Sequence, residues 1–281
     1  MALTRRVRGP VVIVTLAQAI DFRDECETLN ELLRTLNGSA WEKHTQFKGW
    51  TPYDVVGHLH LFNHAAHVTV EQGPEALRRF MGAILAAREA GESLTDYTRR
   101  WLGGIDGPEL LRRWHDFYVE LAERSAGLDP SRRVAWGGPD MSVRSCISAR
   151  QMETWSHGQA VFDLCGKIRS EHDRIRNIVV MGINTFGWSF TNRGLQAPAQ
   201  RPYVRLASPS GAVWDWNAPA DQERIEGSAV EFCQVVTQTR NVADTRLQVG
   251  GAIAVTWMSN AQCFAGPPHP PPAPGTRFPQ R

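Results

Sequence analysis

The sequence predicts an α+β protein in which an N-terminal antiparallel four-helix bundle precedes a small mixed α/β domain. Three observations carry this reading. Through about residue 165, apolar side chains recur at helical three- and four-residue spacing between Gly- and Pro-containing stops. Beyond Gly166 the pattern changes to short alternating runs mixed with short helical ones. The length of 281 residues exceeds one small core and suits two domains.

Taken in order, the first helix is predicted over 15–36, where Ala19, Phe22, Cys26, Leu29, Leu33 and Leu36 form one continuous stripe. Helices over 52–70, 74–90, 107–127 and 142–165 follow, separated at Asn37-Gly38, Gly73-Pro74, Gly103-Gly104 and Gly137-Gly138-Pro139. Long helices with short or moderate connections favour an antiparallel bundle, and such bundles house metals in their cores. In the second part a helix is predicted over 173–190. A hairpin then pairs 203–206 with 213–216 around Pro209-Ser210-Gly211. A short run at 224–226, a helix over 228–239, a strand over 245–249 and a helix over 252–264 complete a domain spanning 171–265. The bundle is bounded at 15–170, residues 1–14 are predicted flexible, and the proline-rich 266–281 is predicted to be a disordered tail.

Composition narrows the function. With 31 basic and 29 acidic residues the net charge is only +2, and the basic residues are scattered, which argues against nucleic acid or an anionic membrane as partner. The five cysteines form no C-x-x-C and suit a reduced, cytoplasmic protein better than a disulfide framework. Arg5, Arg6 and Arg8 followed by an apolar run mimic a signal peptide, but the first helical stripe runs straight through the supposed cleavage site. No apolar run approaches the roughly 20 residues of a membrane span. Dinucleotide, Walker A, serine-elbow and zincin motifs are absent from the sequence. A small-molecule substrate and a monomeric or homodimeric state are therefore expected.

The chemistry concentrates in two helices. At roughly 100° per residue, His58 falls among Val55, Leu59, Phe62, Ala65 and Ala66 on the inward face of its helix. Glu153 and His157 stand one turn apart beside Cys146, Ala149, Ala160 and Leu164, a small-chained apolar face with room for an ion. A histidine on an apolar face is more often a hydrogen-bonded core residue, and Glu-x-x-x-His pairs are common by chance, so each half is ambiguous alone. His60, His64 and His67 form a second stripe, predicted to be a solvated face that could take up nickel or zinc. Trp50, Tyr53 and Trp155 flank the ligands in sequence and are predicted to line the pocket as cofactor-binding residues. Arg240 is the candidate catalytic residue, an anion clamp after its helix; the alternative is a charge complementing that helix's dipole.

Gly49-Trp50-Thr51 leading into Asp54-Val55-Val56-Gly57-His58-Leu59, with Met152-Glu153-Thr154-Trp155-Ser156-His157-Gly158, resembles the DinB-like metal-binding superfamily. The similarity is to the branch of mycothiol-dependent maleylpyruvate isomerase relatives. It extends over 16–266, with Gly194-Leu195, Gly227-Ser228-Ala229 and Ala243-Asp244-Thr245 similar to that branch's smaller C-terminal domain. The resemblance implies that His58, Glu153 and His157 hold one divalent metal, zinc first, with iron or nickel as alternatives. It also implies an enzyme acting on a small organic electrophile by mycothiol-assisted isomerisation or transfer. Two alternatives are a thiol-independent Lewis-acid isomerase or cyclase of secondary metabolism and a non-catalytic metal- or ligand-binding module. His60, His64 and His67 depart from the branch's common pattern.

Overall fold

The computed structural model describes residues 15–280. Four long helices form the bundle: α1 (Ala17–Leu33), α2 (Pro52–Glu71), α5 (Gly107–Ala126) and α6 (Val143–Leu164), each packed against two of the others. Phe22, Leu29, Val55, Leu59, Leu110, Trp114, Tyr118 and Ile147 meet in its core. Two shorter helices, α3 (Pro74–Glu89) and α4 (Leu94–Leu102), pack over α2 around Leu61, Ile84 and Tyr97. Sequence periodicity misses α4, because nine residues burying only Tyr97, Thr98 and Leu102 show too little of a stripe. Its seat is made by Gly57, where a Cβ would lie 3.0 Å from Thr98 Cγ2.

The start of α2 is fixed locally. Thr51 and Asp54 form a reciprocal capping box with Pro52 in the first turn, and Arg99 of α4 donates from Nε to Asp54 at 2.7 Å. A two-residue ribbon of β1 (Arg133–Val134) and β2 (Met141–Ser142) delivers the chain to α6, capped by Ser142.

The predicted helix over 173–190 is broken. A 3-10 turn at Asp173–Ile175 leads to α7 (Arg176–Asn184), and Thr185 separates it from α8 (Phe186–Thr191). A four-stranded sheet follows in the order β4 (Val213–Trp216), β3 (Tyr203–Ala207), β5 (Arg224–Ser228), β6 (Gln248–Gly250). Strands β3 and β5 are parallel, with Val204 opposite Ile225, and the other two pairings are antiparallel. Val204, Leu206 and Ile225 turn inward to Phe232 and Cys233 of α9 (Ala229–Val236) and Trp257 of α10 (Ala252–Asn260). Met152 and Trp155 of α6 belong to this second core, so α6 is buried by both halves of the molecule.

The tail corrects a prediction. Rather than being disordered, its residues through 280 lie along the protein: His269 N donates to Gln262 Oε1, Asn241 Nδ2 to the Pro272 carbonyl and Phe278 N to Gln46 Oε1. Gln280 N reaches the Asp163 carbonyl at 2.7 Å. Proline-rich chain lacks donors and core-forming residues, but its carbonyls accept, and here folded side chains supply the donors. The expectation of a flexible 1–14 lies outside the described residues. Among the described residues no helix is long and apolar enough to cross a membrane, and all five cysteines are free.

Candidate metal centre

Helices α2 and α6 bring His58, Glu153 and His157 together across the bundle. His157 Nε2 lies 2.9 Å and His58 Nε2 3.5 Å from Glu153 Oε2, and the two imidazoles are 4.6 Å apart between centroids. Among the described residues they are the one group of three such side chains whose donor atoms all lie within 4.8 Å of one another. Two donors each about 2.0–2.1 Å from a tetrahedral ion stand roughly 3.4 Å apart. The spacing and the two-imidazole, one-carboxylate chemistry therefore fit a divalent ion. These residues would hold it.

Electrostatics favour the same arrangement. Burial pushes the Glu153 carboxyl up, but hydrogen bonding to His157 and His58, with the positive fields of His157 and Arg150, reverses this and holds it well below the usual carboxylate range. Burial and His157 hold His58 down at about 4 against the pull of Glu153. At neutral pH an ionised carboxylate thus faces an unprotonated His58, the states metal ligation requires. His58 Nδ1 is sealed from solvent without a partner. Aromatic packing against Trp50 at 5.2 Å and Phe62 at 4.8 Å orients its ring together with the Nε2 contact to Glu153.

An aromatic collar closes the site. Trp50 stacks on His157 at 5.6 Å and 14°, and Phe47 meets His157 edge-on at 5.0 Å. Arg277 of the tail sits 5.0 Å over Phe47, so the tail backs the collar. On the opposite side, Arg150 lies 5.9 Å over Phe62 and 5.2 Å over Trp136. Phe47, Phe62 and Arg150 were not singled out by sequence reasoning. The spacing Arg-x-x-Glu-x-x-x-His in α6 was the available signal, since positions i, i+3 and i+7 share one helix face.

The structure separates the other candidates. Trp50 stands at the site; Tyr53 and Trp155 do not. Tyr53 donates to the Ile105 carbonyl and lines a separate cavity of about 400 Å³ with Trp41 and Arg99. Trp155 donates to Glu171 in the second core. Helical phase is the reason: Trp155 is two residues from both Glu153 and His157, about 200° around α6, and Tyr53 is five residues from His58, about 140° around α2. Arg240 gives its guanidinium to Asp163, with Nη2 2.7 Å from Oδ1 and Nη1 2.8 Å from Oδ2. It ties α6 to the segment after α9, and neither the free clamp nor the helix-dipole role describes it.

The second histidine stripe is also corrected: it is not a solvated face. His60 is buried, His60 and His64 pack against Trp101 and Phe117, and His64 stacks on Phe117 at 3.7 Å. Burial and His64 hold His60 at about 3, and burial and His67 hold His64 at about 4. The overlooked α4, which carries Trp101, and Phe117 of α5 cover this side of α2.

A helical bundle that brings two histidines and one carboxylate together, joined to a small α/β unit, is an α+β protein with a candidate metal centre. The family model described as "Mycothiol maleylpyruvate isomerase N-terminal domain" matches residues 22–162, and the chain belongs to that family. It is 35% identical over 248 residues to two uncharacterized proteins from two strains of Mycobacterium tuberculosis, spanning 88% of this chain and 95% of theirs. The crystal structure of the mycothiol-dependent maleylpyruvate isomerase shares the fold, with a TM-score of 0.50 at 15% identity over 78% of this chain and 87% of that one.

Proposed function

We propose that this protein is a cytoplasmic metal-dependent enzyme that acts on a small organic electrophile by thiol-assisted isomerisation or transfer, with mycothiol as the thiol. One observation carries the reading: three half-buried donor side chains converge from two helices, too few to saturate an ion. A bound divalent ion, zinc as the first choice, would supply Lewis acidity that lowers the pKa of a thiol or polarises a carbonyl.

The chain's own residues account for the rest. Glu153 and His58 are held in ligand-ready states, while Trp50, Phe47 and Phe62 shield the donors from bulk water. The thiol must come from outside. Burial pushes the thiols of all five cysteines up, Cys146 to about 11, so none of them is a ready thiolate at neutral pH. Membership of the mycothiol maleylpyruvate isomerase family supports the identity of the thiol.

The test is turnover of a panel of α,β-unsaturated and keto-acid electrophiles by zinc-loaded protein with and without mycothiol. Thiol-dependent turnover that disappears in His58→Ala is expected. Turnover without thiol would replace the thiol role by direct Lewis-acid chemistry, and thiol-dependent turnover that survives loss of the metal would refute the metal role.

A further inference from the structure

Arg150 is a buried cation whose guanidinium N–H groups are left unused by the site. It is 3% exposed, and its Nε and Nη1 are sealed from solvent without a hydrogen-bond partner among the described residues. No carboxylate of the described residues lies within 4.0 Å of it. Placing a guanidinium in such surroundings is costly unless it is paired, and cation–π contacts with Phe62 and Trp136 recover only part of that cost.

Its position gives the burial a purpose. Arg150, Glu153 and His157 share one face of α6, while Phe62 follows His58 by one turn of α2. The Arg150–Phe62 contact is thus the layer next to the Glu153–His58 contact, on the side away from Trp50. The positive field of Arg150 acts on both His58 and Glu153. With neutral histidines, a divalent ion, one carboxylate and one guanidinium sum to two positive charges. A thiolate balances one of them. A second anionic group is needed for the other, and a planar fork with free N–H groups matches a carboxylate.

Resting on the metal-enzyme reading, we propose that Arg150 is the anion-binding residue of this site, receiving a carboxylate carried by the electrophile. Isothermal titration of zinc-loaded full-length protein with two probe pairs tests it: pyruvate against methyl pyruvate, and mercaptoacetate against 2-mercaptoethanol. Within each pair the members differ chiefly in the charged carboxylate. A preference for the carboxylate of roughly 10- to 150-fold is expected in the keto pair, collapsing in Arg150→Met and partly restored in Arg150→Lys. Preference in the keto pair supports the electrophile's carboxylate as the partner; preference confined to the mercaptan pair overturns the proposal, because mycothiol carries no free carboxylate. Preference unchanged in Arg150→Met, or absent from the keto pair in the wild type, overturns the proposal. Should Arg150→Met fail to fold, Arg150→Lys decides: the loss of the fork must still lower the preference. Zinc content is measured alongside, because a wild-type chain that holds no zinc refutes the metal reading while the paired probes still test Arg150 in zinc-free protein.

Discussion

Replacing Arg240 by Met distinguishes a structural tie from a ligand clamp. The Arg240 and Asp163 side chains are 10% and 5% exposed and meet through two short hydrogen bonds, so screening by water is slight. Arg240→Met leaves Asp163 with Gln159 as its remaining side-chain donor, at 3.0 Å. Removing one partner of a buried pair costs about 3–5 kcal/mol. At about 2 °C per kcal/mol for a chain of this size, Tm should fall by roughly 6–10 °C. The double variant Arg240→Met/Asp163→Leu should recover most of the loss, because no charge is left unpaired. Calorimetry of the three variants and the wild type forms the cycle. A fall of less than about 2 °C in Arg240→Met, with ligand binding weakened instead, would refute the structural reasoning and return Arg240 to the site.

His58→Ala, Glu153→Ala and His157→Ala should each lower zinc affinity by about 100-fold or more, read by elemental analysis after dialysis, whereas a His60, His64 and His67 triple alanine variant should keep its zinc. Stability should fall on acidification from about pH 6.5 towards 4: His60 and His64 have folded pKa values near 3 and 4, below the unfolded 6.5, so the unfolded chain binds more protons in that window. For His60 alone the loss by pH 5 is about 2 kcal/mol, and urea titrations at pH 7 and pH 5 should show it, with a smaller difference in His64→Phe; equal midpoints would contradict the buried-stripe description. Truncation after residue 265 removes Arg277 from Phe47 and Phe278 from Gln46, so amide exchange over 44–50 should accelerate, and unchanged protection would show that the tail does not back the collar.

The helices and the convergence of His58, Glu153 and His157 were legible in the sequence because both depend on short-range periodicity. A 3.6-residue repeat identified α1, α2, α5 and α6, and one turn of spacing put Glu153 beside His157. The same repeat placed His58 on an inward face, and resemblance joined the halves. What depends on the partner of each face was not legible. No local pattern says that α4 and α5 will cover His60 and His64, or that Asp163 will take Arg240. Proline content marks a segment poor in its own donors and apolar side chains, yet whether folded donors wait for its carbonyls is decided elsewhere, by Asn241, Gln238 and Arg193. The unpaired state of Arg150 is of the same kind: the sequence puts it one turn from Glu153, but only the packed structure shows that no carboxylate among the described residues comes to meet it. Periodicity is written along one chain, whereas burial and pairing are properties of two surfaces in contact.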